Sequence, residues 1–189
     1  MMNSSFIGIY DNILTDYECK LLIDYFENSQ QYEGNIVENG AYVLDTSVKK
    51  FRQLGGERFS QNKRSSIIRN PLMSALDKYF KQYSKLQEKI NTFRLEDEMS
   101  FKRFDNEEDG FKKWHCEHGL GFSSTRILVW QFYLNNANSG TEFLYYPNVK
   151  SKAGRCVIFP ASITHYHRSQ LPNKGVKYII SGWWSFITT

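Results

Sequence analysis

The chain has 189 residues, 41% of them apolar and 16% aromatic, and a net charge of +4. That is enough for one substantial hydrophobic core, short for two ordinary domains, and too rich in aromatic residues for a disordered chain. No run approaches the roughly 18 apolar residues of a membrane span, and the Met1 end shows no basic segment leading into an apolar one, so a cytoplasmic protein without membrane contact is expected.

In chain order, Thr15 and Glu18 form a reciprocal capping pattern, and Leu21, Leu22, Tyr25 and Phe26 then fall on one face, which predicts a helix over 16–28. Residues 29–69 hold Gly34, Gly40 and the pair Gly55-Gly56 among polar residues with no sustained period, and read as a long loop with short strands. Within it, residues 49–69 gather Lys49, Lys50, Arg52, Arg58, Lys63, Arg64 and Arg69 against the single acid Glu57. Such a run is either a solvated loop or a surface for an acidic partner. Asn70 before Pro71 is a second helix start, with Leu72, Leu76, Tyr79, Tyr83, Leu86 and Ile90 continuing at intervals of three and four.

From Met99 onward, short runs of aromatic and β-branched residues alternate with turn clusters, and strands are predicted over 127–134, 142–146, 155–159 and 176–186. The chain therefore reads as α+β, with helical support and loops over 1–98 and a closed or sandwiched antiparallel core over 99–189. Cys19, Cys116 and Cys156 are odd in number and lack CxxC spacing, so neither a disulfide framework nor a zinc ribbon is indicated.

All four histidines fall in two tight pairs, His115/His118 and His165/His167, with Glu117 inside the first. In a strand, positions i and i+2 share a face, so His115 and Glu117 project together while Cys116 and His118 point away. One further histidine from a neighbouring strand completes a set of two histidines and one carboxylate, which leaves open positions on the metal and suits iron(II).

These residues resemble the 2-oxoglutarate- and iron(II)-dependent oxygenases, in particular the prolyl 4-hydroxylase-like branch built on a double-stranded β-helix (jelly roll) with N-terminal supporting helices. The resemblance covers roughly residues 101–184, and the segment Tyr10-Asp11-Asn12-Ile13-Leu14 before the first helix resembles that branch's entry. In the family a His-x-Asp pair opens the metal site, a distal histidine closes it, and a basic residue ten positions later meets the far carboxylate of 2-oxoglutarate. His167 and Lys177 stand at that interval, with Gly175 and Trp183 at matching offsets, which selects His167 over His165 and leaves His165 as a same-face neighbour. Tyr133-Leu134-Asn135 resembles the strand whose tyrosine helps to hold 2-oxoglutarate, Gly140-Thr141-Glu142-Phe143 resembles the turn after it, and Ser181 shares the face of Lys177 and Trp183.

Two departures stand out: Glu117 replaces the usual aspartate, and Phe104 stands where relatives place a tyrosine. The resemblance implies Fe(II), 2-oxoglutarate and O2, with ascorbate or another reductant in support, and hydroxylation of an unactivated C–H bond. The retained carboxylate argues against halogenation. A prolyl residue in a peptide or protein is the first substrate class, with small metabolites, free amino acids and nucleic-acid bases as alternatives; Phe51 and Phe59 in the basic segment are what a single strand would stack on. From a different class, a metal-binding cupin would use the histidines without 2-oxoglutarate, and Lys177 is the discriminator.

Overall fold

The computed structural model describes residues 5–34, 36–38, 41–89 and 92–187. Strand β1 (Gly8–Tyr10) precedes helix α1 (Asp16–Glu27), whose start has both halves of the predicted capping box: Glu18 N–H donates to Thr15 Oγ1, and the Glu18 carboxylate accepts from Thr15 N–H. Cys19, Leu22 and Phe26 form its buried stripe, with Tyr25 at the margin. The next segment carries the short strands β2 (Gln31–Glu33), β3 (Ile36–Glu38), β4 (Ala41–Val43), β5 (Lys49–Lys50) and β6 (Arg52–Leu54).

The second helix differs from the sequence expectation at both ends. Helix α2 (Ser65–Gln82) begins ahead of Asn70, so Pro71 lies inside it. Its first turn opens with i to i−3 bonds, Ser65 N–H to Asn62 O and Ile67 N–H to Arg64 O, a tighter winding that the proline pattern conceals. The helix stops at Tyr83, whose backbone leaves the helical region, and α3 (Ser84–Lys89) follows as a separate turn. Ile90 lies outside the described residues.

The β core then comprises β7 (Phe93–Phe104), β8 (Gly110–Phe111), β9 (Arg126–Tyr133), β10 (Gly140–Phe143), β11 (Val149–Lys150), β12 (Arg155–Pro160), β13 (His167–Ser169) and β14 (Lys177–Phe186). It starts at Phe93, before the aromatic pattern becomes readable, because Arg94, Glu96, Asp97 and Glu98 mask the alternation. A seven-stranded sheet runs β1-β12-β9-β14-β7-β6-β2, and a three-stranded sheet β11-β10-β13 faces it. All pairings within these sheets are antiparallel, the arrangement of a double-stranded β-helix.

Strand β9 shows how the two layers are filled. Leu128, Trp130 and Phe132 face α1 and α2, with Phe101, Ile158, Ile180 and Trp184, while Val129 and Tyr133 turn inward to meet Phe143, Val149 and Phe159. A strand buried on both faces loses polar alternation, which is why this stretch reads as a continuous apolar run. The inner face is where polar residues intrude, and the site lies there.

Candidate metal centre

His115 and Glu117 come together, though not on a regular strand. His115 forms an isolated antiparallel bridge to His167, its N–H donating to His167 O at 3.1 Å and its carbonyl accepting from His167 N–H at 2.8 Å. The next amides, of Glu117 and His118, both donate to Ala161 O at 3.1 Å, so two successive residues oppose one acceptor as in a bulge. The alternation expected from a strand is thereby lost after Cys116. His118 is exposed at the cavity rim rather than turned behind the strand, and it stands outside the ligand set.

His115 Nδ1 lies 3.0 Å from Lys113 O, and His167 Nδ1 lies 3.0 Å from His165 O. A carbonyl oxygen only accepts, so both Nδ1 atoms carry the proton and both Nε2 lone pairs are free. Those Nε2 atoms approach the same carboxylate oxygen, Glu117 Oε1, at 3.7 and 3.6 Å. An ion about 2.1 Å from each of three ligands at right angles separates them by about 3 Å, so a small contraction closes the set. Phe111 stacks on His115 with ring centroids 3.8 Å apart and fixes its plane.

The second oxygen of Glu117 is held from the opposite side. Trp183 Nε1–H donates to Oε2 at 3.0 Å, Arg126 Nη1 lies 3.6 Å from it, and the Arg126 guanidinium lies 3.6 Å above the Trp183 ring. Arg126 is anchored in turn on Glu96 at 3.1 Å. This clamp takes up the extra methylene relative to aspartate and aims Oε1 at the histidines. Burial alone would raise the Glu117 pKa, but the two histidines beside it and the charge of Lys102 outweigh it and hold the carboxyl well below the usual carboxylate range. Burial, reinforced by His167, lowers His115 to about 4, which keeps the ring neutral and able to ligate.

The trio opens into a cavity of 460 Å³, within the range of small-molecule sites. Ser181 lines it and accepts from Lys102 Nζ at 3.3 Å. Lys177 is fully buried at the far end, its ammonium 3.4 Å from Gly140 O and 4.6 Å from the Phe104 ring centroid, behind two residues that line the cavity. Tyr133 is also fully buried, and its hydroxyl lies 2.7 Å from the cavity-lining Thr141 Oγ1, so it reaches the site through that residue.

His165 departs from its expected place beside the site. It belongs to a 3₁₀ turn, its Nδ1 meets Thr164 Oγ1 at 2.9 Å, its Nε2 meets Ser5 O at 2.8 Å, and its ring stacks on Tyr146. The turn reverses the side chain and leaves only its carbonyl to serve His167. The basic segment also resolves into separate roles. Arg52 pairs with Asp105 at 2.8 Å and Lys50 with Asp109 at 3.4 Å, and Phe51 and Phe59 are each 3% exposed, so neither ring is available to stack on a base.

Sequence reasoning missed Lys102, Arg126 and Thr141. Lys102 was within reach of it, since alternation back from Phe104 puts Lys102 and Ser100 on the inner face of β7. Arg126 had no comparable signal, because it acts only through the tertiary approach of Glu96 and Glu117.

Residues 99–185 match the family model described as 2OG-Fe(II) oxygenase superfamily. No curated protein matches the sequence. Among solved structures, the fold is similar to the viral collagen prolyl hydroxylase of Paramecium Bursaria Chlorella virus-1, with 16% identity, a TM-score of 0.65 and 98% of each chain covered. It is also similar to the prolyl hydroxylase of Trichoplax adhaerens in complex with a hypoxia inducible factor peptide fragment, with 14% identity, a TM-score of 0.72, and coverage of 98% of this chain and 86% of that one. The non-heme alpha ketoglutarate dependent epimerase SnoN shares the fold as well, at 12% identity and a TM-score of 0.65, over 97% of this chain and 80% of its own. The β-helix and its two-histidine, one-carboxylate trio define a non-haem iron oxygenase fold with a facial ligand set. The matched segment, which holds the whole ligand trio, is that of the 2OG-Fe(II) oxygenase superfamily, and Fe(II) and 2-oxoglutarate are the cofactors this family implies.

The residues present fit both groups. Two imidazoles with free Nε2 lone pairs and a carboxylate converge, and a buried lysine without an acidic partner among the described residues lies directly behind the cavity-lining Gly140 and Phe104.

Proposed function

We propose that the protein hydroxylates an unactivated C–H bond, with a prolyl residue of a peptide or protein as the first substrate class, and couples that reaction to oxidation of 2-oxoglutarate. The observation that carries the reading is the pairing of the His115, Glu117 and His167 trio with Lys177, a buried cation that lacks a counter-ion among the described residues. An isolated buried ammonium is costly, and an incoming carboxylate removes that cost.

In this reading His115, Glu117 and His167 hold the metal, while Lys177 receives the 5-carboxylate of 2-oxoglutarate, with Tyr133 reaching it through Thr141 and Ser181 offering a hydroxyl. When bound, the iron activates O2 with 2-oxoglutarate as the source of two electrons, and the co-substrate leaves as succinate and CO2. The protein's part is orientation. The carbonyls of Lys113 and His165 hold the imidazole tautomers, and Trp183 and Arg126 hold Oε2 of Glu117 and leave Oε1 facing the two histidines. Phe111 and Phe104 add apolar wall to the chamber. A cupin without 2-oxoglutarate would have no use for Lys177.

The test is conversion of 2-oxoglutarate to succinate with Fe(II), O2 and ascorbate, followed by a mass search for +16 products on prolyl residues of candidate peptides. Succinate formation accompanied by prolyl hydroxylation is the expected result. Equal turnover with zinc would overturn the oxygenase reading, and hydroxylation confined to non-prolyl substrates would overturn the substrate class.

A further inference from the structure

Among the described residues, the cavity is lined by four cations, Lys49, Lys102, Arg126 and Arg168, and one carboxylate, Glu117. Arg126 is matched by Glu96 at 3.1 Å and Arg168 by Glu142 at 2.7 Å. Lys49 and Lys102 have no such match among the described residues. Lys102 Nζ has only the Ser181 hydroxyl at 3.3 Å, and the ammonium groups of Lys49 and Lys102 lie 5.6 and 5.7 Å from the centroid of one ring, Phe51. Lys49 also lies 5.7 Å from the Phe111 ring, which stacks directly on His115. The two free cations are therefore neighbours of the metal trio as well as of each other.

On the oxygenase reading above, on which this inference rests, the divalent metal, Glu117, Lys177 and dianionic 2-oxoglutarate cancel in charge. The Lys49 and Lys102 charges are left over. We propose that this pair forms a second anion subsite, which binds an acidic group of the primary substrate, a carboxylate or a phosphate, close to the carbon that reacts. Two like charges around one ring in a partly desolvated chamber repel each other and gain most from an anion that both reach. The substrate class this selects is an acidic molecule, or a peptide with an acidic group beside its target residue.

The test uses protein loaded with Mn(II) and saturated with 2-oxoglutarate under anaerobic conditions, with calorimetric titration of acetate and of inorganic phosphate. Binding of one further anion per chain is expected, weakened at least tenfold in Lys49→Met and in Lys102→Gln and unchanged in Lys50→Met, whose lysine already pairs with Asp109. The tighter of the two probes identifies the acidic group. Lack of a further anion site in the wild-type protein would overturn the proposal. So would loss of 2-oxoglutarate affinity in Lys102→Gln as large as that in Lys177→Ala, because Lys102 would then anchor the co-substrate. If Lys102→Gln does not fold, Lys49→Met decides the matter alone. Failure of 2-oxoglutarate itself to bind the Mn(II) protein is a separate result and refutes the preceding reading instead.

Discussion

Lys177 carries its charge in surroundings that disfavour it, and burial lowers its pKa to about 8. Removing one partner of a desolvated charge pair costs about 2–5 kcal/mol. Lys177→Ala should accordingly raise the dissociation constant for 2-oxoglutarate at least tenfold while metal content stays near normal, and Lys177→Arg should recover part of the loss. The same lysine sets a pH dependence. An anion needs the protonated ammonium, so 2-oxoglutarate affinity should fall as pH rises through about 8, and a shallower fall is expected in Lys177→Arg, whose guanidinium does not titrate there. Calorimetry of the Mn(II)-loaded protein across pH 7–9 measures both. At the other end of the chamber, Trp183→Phe keeps the ring under Arg126 and deletes the only N–H donated to Glu117 Oε2 at hydrogen-bond distance among the described residues. A loss of about tenfold in metal affinity is expected, read by metal titration, since partners behind a ligand typically contribute about 10–100-fold. By contrast, His118→Ala should leave metal content unchanged, and loss of metal there would mean that His118 belongs to the ligand set.

At the scale of single elements, β10 shows how tightly the small sheet is drawn together. A Cβ at Gly140 would lie 1.9 Å from Val149 O on β11, a backbone atom with no rotamer to yield. Gly140→Ala should cost about 1–3 kcal/mol in denaturant unfolding and also disturb the carbonyl that meets Lys177. That same closeness explains why the sequence placed this strand two residues late: Leu144 to Tyr146 look more strand-like than the glycine that makes the pairing. Helix α1 was legible to within one residue because a capping box is a local signal, and β9, β12 and β14 because long apolar runs are. The start of α2 was not, since its first turn depends on Asn62 and Arg64 carbonyls rather than on a side-chain cap. The metal trio was legible from the clustering of histidines, yet by an argument that holds only in part, because the i, i+2 geometry comes from an isolated bridge and not a strand. The orientation of His165 and the clamp on Glu117 are tertiary and left no trace in local spacing.

Across the whole molecule, the seven-stranded sheet is sandwiched between two unlike environments. Its outer face is sealed by α1 and α2 through residues such as Leu22, Leu72, Trp130 and Ile180, and its inner face meets the small sheet through Phe143, Phe159 and Tyr133. The candidate metal centre spans that inner gap: Trp183 and Arg126 approach Glu117 from the large sheet, while His167 stands on the small one and His115 is bridged to it. Anything bound there joins the two layers in the folded state and has no comparable site in the unfolded chain. Ligand at one hundred times its dissociation constant then adds about 2.7 kcal/mol to stability. Removal of metal with a chelator should lower the melting temperature by several degrees, and metal with 2-oxoglutarate should raise it further. Melting temperature thus becomes a substrate screen in which the product need not be identified: acidic and prolyl-containing compounds can be ranked by the heat the protein withstands in their presence, before any turnover has been observed.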